Sequence, residues 1–370
     1  MDKHNINWKL WQKKFGGKYL GHVSRIFSWL LERKTDLTRL DITKLPRLFY
    51  SVSETKTAPQ PKQVAFHPES KLAFVSCMEG KKLQVFDCSQ DSLKLVNEIP
   101  FKEQCVEVAI YNNLCLVTLS KFSRIPGATD NLAIIDIESR RVLSIVNTGG
   151  NWSKVIRMHP SGLTFVSNWR SNNLSIIDIS DPSRPELVQL LACGISPRGM
   201  CFTKSGRLGL VVGFYSRNII EISQKSSKSF EISFIGDPYD FPKFSGSMRD
   251  IIIDSDDQFA YISNLGRNLI HIYHIPSRSI IDSILVGERP NSIKFFDSTE
   301  KNLLVSCRES NAVCLLDIKS RKVEGCTEPE IKKSTGLSNY PGGFLVTSFK
   351  EALLSIYKTN NNSSDSGRLS

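Results

Sequence analysis

Lys154–Leu191 reads KVIRMHPSGLTFVSNWRSNNLSIIDISDPSRPELVQLL, and Arg249–Gly287 reads RDIIIDSDDQFAYISNLGRNLIHIYHIPSRSIIDSILVG. Each stretch is an apolar run, a turn of Pro, Gly, Ser or Asp, and a second run ending in Ser-Asn. A loop, a third run, a turn and a fourth run follow. Short apolar or alternating runs bounded by turn residues are β-strands, so the unit has four strands. Anchored on Val64 in the first strand, equivalents fall at Val106, Val155, Met200, Ile251, Ile293 and Thr335, in steps of 42, 49, 45, 51, 42 and 42 residues. A lone four-stranded sheet cannot bury both faces, so seven such units must stack on one another. The fold expected is all-β, a seven-bladed β-propeller.

Closure follows from the strand inventory. Six units end in a fourth strand, the last of them a weak RKVEGCT, while the seventh stops at its third. A spare strand with alternating character lies ahead of the first unit at Arg47–Glu54 (RLFYSVSE). It is expected to complete the last blade and remove an open edge. The organisation read from the chain is a basic helical segment at 1–45, the propeller at 46–358 and a polar tail at 359–370.

The second-strand ends (FVSN, YISN, LVSC, FVSC), the third strands (NNLSIID, NLAIID, NAVCLLD, NLIHIY) and the boundary SILVGERPNSIKF resemble those of the YVTN-repeat, or YncE-like, propellers over residues 60–358. The WD40 type is not matched, since no Gly-His opens the units and no Trp-Asp closes a third strand. The resemblance implies a rigid binding platform, with relatives in nucleic-acid and surface roles. Because propellers also host lactonase and cytochrome chemistry, the fold alone leaves function open.

The chain has 370 residues, 40% hydrophobic and 23% charged, which suits a folded domain with a sizeable core. It contains no apolar run long enough for a membrane-spanning helix. Nine scattered cysteines with no C-x-x-C pair read as free core thiols. With no cleavable leader visible at the N-terminus, a cytoplasmic location is expected. Formal net charge is +11, and residues 1–45 hold ten Lys/Arg against four Asp/Glu.

In such a blade the loop between the second and third strands and the loop joining two blades emerge on the same face. The longest steps come from Lys121–Asn131 and Gly236–Ser247, both in those loops. A basic residue lies 15 to 17 positions after every anchor: Lys81, Lys121, Arg170, Arg217, Arg267, Arg308 and Lys350. Further bases sit two before four anchors, at Lys62, Arg198, Arg249 and Lys333, with Lys154 and Arg289 near the same place. This pattern reads either as an ordinary solvated loop surface or as a cationic ring that draws an anion to the channel mouth. Trp152, Trp169, Tyr215 and Phe349 share those loops. Arginine beside an aromatic suits base or sugar stacking next to phosphate contacts, and it suits a protein interface equally. Trp152 and Phe349 fit blade packing as well. The partner-binding set expected is therefore Lys81, Lys121, Arg170, Arg198, Arg217, Arg249, Arg267, Arg308 and Lys350, with Trp169 and Tyr215 for stacking. The partner is nucleic acid, a phosphorylated ligand or an acidic protein surface.

Trp8, Trp11, Phe15, Tyr19, Val23, Ile26, Phe27, Leu30 and Leu31 recur at helical spacing among lysines and arginines. That helix either packs on a monomeric propeller or lies in a membrane surface through residues 6–34. No Walker loop, G-x-S-x-G, dinucleotide fingerprint or haem motif occurs. His271 and His274 lie three apart on one strand and so face opposite sides. No metal or cofactor is expected. An enzyme at the central channel, of lactonase, other hydrolase or isomerase type, is the alternative to a non-enzymatic binding scaffold.

Overall fold

The computed structural model describes residues 39–194, 196–236 and 247–360. The helix expected at 6–34, most of the Gly236–Ser247 loop and nearly all of the polar tail lie outside the described residues.

Seven four-stranded antiparallel sheets form the propeller. Their innermost strands are Pro61–His67, Gln104–Tyr111, Ser153–Met158, Pro197–Phe202, Met248–Ile253, Pro290–Phe295 and Ser334–Tyr340. The spare strand occupies Phe49–Lys56 and pairs antiparallel with Leu353–Thr359, the third strand of blade seven, so the first and last units interlock. Just before it, Leu48 N–H donates to Cys326 O and Cys326 N–H to Pro46 O. The chain thereby covers the short outer strand of blade six, Lys322–Cys326.

The second and third strands read as unbroken apolar runs because both of their faces are covered. In blade one, Phe74, Leu83 and Val85 pack against blade two, while Ala73, Val75 and Phe86 pack against blade seven. The buried apolar residues fall into seven clusters, one in each seam between neighbouring blades. Removing a blade would expose two of them, which is why the ring must close. All nine cysteines are free and buried in these seams; burial pushes the Cys77 and Cys88 thiols up to about 12.

The Ser or Thr near the end of six of the seven second strands does more than end a strand. Gln63 N–H donates to Ser76 Oγ at 3.2 Å, and Ser76 Oγ donates to Val106 O of the next blade at 3.0 Å. Glu107 N–H, Thr118 and Lys154 O repeat the arrangement at 3.0 and 3.1 Å. Val155 N–H, Ser167 and Arg198 O repeat it at 3.1 and 3.0 Å, and Asp250 N–H, Ser263 and Asn291 O at 3.0 and 3.2 Å. Each hydroxyl thus takes an N–H freed by a bulge in its own first strand and fastens the neighbouring inner strand. Blade four has Val212 at this place. There Gly199 lets the backbones close in: a Cβ would come within 2.8 Å of Arg249 O and Asp250 Cα.

Those bulges correct the phase of the repeat. The inner-strand residues paired with the equivalent second-strand positions are Val64, Val108, Ile156, Met200, Ile251, Ile293 and Leu337. The anchors at Val106, Val155 and Thr335 were two, one and two residues early, because the extra bulge residue is invisible in apolar periodicity.

Candidate site in the throat of the channel

With the phase corrected, Lys62, Lys154, Arg198 and Arg249 occupy one and the same position, two residues ahead of the paired residue in blades one, three, four and five. This position lies at the end of the inner strand nearest the loops joining second and third strands, since Pro61 pairs with Cys77 and Pro197 with Gly213. Lys154 and Arg198 are each only 6% exposed, and Lys62 and Arg249 are half-buried. Among the described residues no hydrogen bond or ion pair reaches any of the four head groups.

Sharing one register position on inner strands that ring the axis, they lie close enough to act on one another's charge. Burial depresses the Lys62 ammonium well below its ordinary range, and the charges of Arg249 and Arg198, from blades across the ring, depress it further. Lys154 is depressed by burial and then by Arg198 and Arg249. Burial, with Arg198 and Arg308, does the same to Arg249. Like charges held near one another in this way each disfavour the other's protonated form.

Two carboxylates stand among them. Asp250, 8% exposed, accepts from Arg157 Nη2 at 3.0 Å, from Ile251 N–H at 3.1 Å and from Ile293 N–H at 3.2 Å. Glu107 accepts from Gln63 Nε2 at 3.2 Å. Arg157 belongs to blade three and Asp250 to blade five, so this ion pair reaches past blade four. Lys294, one position beyond Ile293, adds a further base whose charge burial disfavours. Nearer the loops, Asp130 is already taken by the N–H groups of Lys121 and Ser153, at 3.1 and 2.8 Å. The throat is strongly cationic.

An aromatic wall flanks it on blades two to four. Phe122, Trp152 and Trp169 meet in sequence with ring centroids 5.6 and 5.4 Å apart, and Trp169 stacks on Tyr215 at 5.3 Å and 21°. Lys154 Nζ lies 3.8 Å from the Phe122 centroid, and the Arg170 guanidinium lies 5.5 Å from that of Trp152. Ser123 O, in the long 121–131 loop, accepts from Trp152 Nε1 at 3.0 Å and Asn151 Nδ2 at 2.9 Å, pinning the loop to blade three.

The seven loop bases do not share one place. Lys121 and Arg308 come first after the second strand, Arg170 and Lys350 second, Arg267 third, and Lys81 and Arg217 fourth. The fourth place is a left-handed turn position: Lys81, Asn172, Arg217, Asn268, Asn311 and Ala352 all have φ between 48° and 60°. Lys81, Lys121 and Lys350 are exposed, whereas the four arginines are half-buried. Of these arginines, Arg308 bears on the throat, and its guanidinium lies 5.4 Å from the Phe349 ring. Lys333 and Arg289 also sit in left-handed positions, at φ 58°, two residues ahead of the throat position. Lys333 pairs with Glu309. Lys62 and Lys154 were in view in the sequence, but the one-residue error at Val155 hid Lys154's equivalence with Arg198 and Arg249. Aligning on the Val-Ser and Ile-Ser ends of the second strands would have revealed it.

Among the described residues no group of three or more His, Cys, Asp or Glu is placed to hold a metal ion. His271 lies between Asn264 and Ser283, and His274 against Ser277.

No known protein-family model matches the chain. A protein called Antigen Lp49, from Leptospira interrogans serogroup Icterohaemorrhagiae serovar copenhageni, is 25% identical over 277 residues, 70% of this chain. The chain spans about half (55%) of that relative's length. A solved structure from Lactobacillus plantarum superposes with a TM-score of 0.62 at 16% identity, covering 74% of this chain and 86% of that one. Another, from Desulfotomaculum acetoxidans and described as functionally unknown, gives 0.62 at 14% identity, covering 78% and 89%. At such identities the likeness carries the architecture: the chain is a seven-bladed β-propeller of four-stranded antiparallel blades.

Proposed function

We propose that this protein is a non-enzymatic binding propeller of the YVTN type that takes an anionic partner at its channel mouth. One observation carries the reading. Lys154 and Arg198 are almost wholly buried, have no hydrogen-bond or ion-pair partner among the described residues, and sit with Lys62 and Arg249 in one throat. Buried charge is ordinarily paired, because desolvation of an unpaired ion costs several kcal/mol. A site that holds several such cations together spends folding stability on being ready for an anion. The half-buried Arg170 and Arg308 and the exposed Lys81, Lys121 and Lys350 extend the same sign of charge over the loop face, which raises the rate of encounter. Trp169 and Tyr215 supply a flat surface beside it.

The test is the binding of labelled single-stranded DNA and heparin to the full chain between about 50 and 200 mM salt, where counterion release steepens the dependence. Affinity should fall steeply across that range, and Arg249→Gln and Arg308→Gln should each weaken it. Affinity that stays level with salt would exclude a charge-driven site.

A further inference from the structure

The position of the four bases says which kind of anion fits. They lie at one height on the inner strands and around one axis, enclosed by seven blades, instead of along a groove on the surface. A nucleic-acid backbone spaces its phosphates along a track and is matched by cations spread along that track. Here Lys62, Lys154, Arg198 and Arg249 stand at one register position on the inner strands of four blades that surround the axis. The carbonyls of Lys154 and Arg198 are each held by a hydroxyl of the preceding blade, at 3.1 and 3.0 Å. The backbone that carries the cations is therefore fixed before any ligand arrives, which reduces the ordering cost of binding. Below this layer Asp250, held by Arg157 and two N–H groups, and Glu107, held by Gln63 Nε2, offset part of this charge, and two carboxylates are outnumbered by the four bases with Arg157 and Lys294. The half-buried Lys294 has no hydrogen-bond or ion-pair partner among the described residues and extends the positive charge down the channel.

We propose that the throat is a site for a compact, multiply charged oxyanion of the oligophosphate class, borne by a small molecule, with its phosphates between Lys62, Lys154, Arg198 and Arg249. This rests on the anion-binding reading above and narrows it from any polyanion to a ligand small enough to enter the ring. Charge-assisted hydrogen bonds from Lys and Arg to phosphate are the recognition chemistry.

Inorganic triphosphate is the probe, titrated by calorimetry into the full chain at about 50 mM salt, with a 15-nucleotide single strand titrated in parallel. Triphosphate should bind and raise the melting temperature. Lys62→Gln and Arg249→Gln should each weaken it by about ten-fold, the size of one lost charged hydrogen bond. Both residues are only half-buried, so the variants fold, and unliganded melting temperatures equal to or above wild type verify this. Three outcomes would overturn the proposal. Triphosphate that neither binds nor stabilises, while the single strand binds with steep salt dependence, removes the throat site and leaves the loop face as an anion-binding surface. Triphosphate binding that is unchanged in both throat variants but lost in Lys121→Gln with Lys350→Gln places the site on the rim. Neither probe binding removes the throat site and the broader anion-binding reading together.

Discussion

The two faces of the ring use charge in opposite ways. On the face formed by the turns between first and second and between third and fourth strands, carboxylates are consumed by backbone. Asp87 accepts from Ser89 N–H at 2.8 Å, Asp136 from Ser139 at 2.7 Å, Asp178 from Ser180 at 2.9 Å and Asp317 from Ser320 at 2.5 Å. Asp254 holds the N–H groups of Gln258 and Phe259, and Glu300 takes that of Ser255 in the neighbouring blade. On the opposite face, Lys62, Lys154, Arg198 and Arg249 recur at one blade position just as regularly, and among the described residues their head groups make no hydrogen bond or ion pair; Lys154 rests on the Phe122 ring. Repetition alone does not separate structure from function, since both sets repeat. What separates them is whether the charge is satisfied within the fold.

The link between the two regimes is Asp250, and breaking it should have the largest effect. Asp250→Ala leaves Arg157 unpaired in a throat that is already cationic and frees the N–H groups of Ile251 and Ile293. Removing one member of a buried pair costs about 3–5 kcal/mol. Urea denaturation should show that loss as a lower midpoint; a midpoint within experimental error of wild type would mean that Asp250 is no keystone. Next in size is the hydroxyl fastening. Ser167→Ala strands Val155 N–H and Arg198 O, both in buried inner strands, and should cost about 1–3 kcal/mol. The same variant should also weaken anion binding, because Arg198 loses its fixed backbone. A stability loss with unchanged binding would separate the seam from the site.

The architecture was legible in the sequence because each blade repeats one alternation of apolar runs and turns, and because the missing strand of the seventh unit had a visible substitute at 47–54. The turn role of Asp87, Asp136, Asp178 and Asp317 was legible for the same reason, since a short acid after a strand has an N–H within reach. The site was only half legible. Arg198 and Arg249 stood out, but the bulge near the start of the inner strands shifts the phase by a residue or two. That shift made Lys154 look like a neighbour of the pattern when it belongs to it. The loop bases showed the opposite fault: Lys81, Lys121 and Arg267 are spaced from their anchors within a residue or two, yet that residue or two, with the early anchor at Val106, puts them in the fourth, first and third places of their loops. Glu107 and Asp250 gave no signal at all, because their meaning depends on contacts across the ring.

Lys154→Met should act in the direction opposite to the first two variants. It removes a buried cation from among like charges and keeps the volume, so it should raise stability by about 1–2 kcal/mol while it weakens anion binding. The pH dependence has a definite sign. Lys154 is protonated more readily in the unfolded chain than in the fold, where burial and the charges of Arg198 and Arg249 lower its affinity for protons. Below its depressed folded pKa the penalty is complete. Between that value and the ordinary 10.5 the unfolded state binds more protons, so stability climbs with pH. Thermal melts over this window, which closes at the ordinary 10.5, should rise in wild type relative to Lys154→Met, and parallel curves would show that Lys154 carries no penalty.

The turn face should respond least. Hydrogen bonds from Lys228 and then from Ser180 N–H pull the Asp178 carboxyl down to about 2. A group depressed in this way stabilises the fold above its unfolded pKa and loses that contribution as pH falls through about 2. Lys228 is largely exposed, so solvent screens the pair, and Asn can still accept from the turn N–H. Asp178→Asn should therefore cost only about 0.5 kcal/mol at neutral pH, flatten the acid limb of the stability curve and leave anion affinity unchanged. Anion affinity that moved with Asp178 would mean that the two faces communicate through the blade, and the division between satisfied and waiting charge would fail.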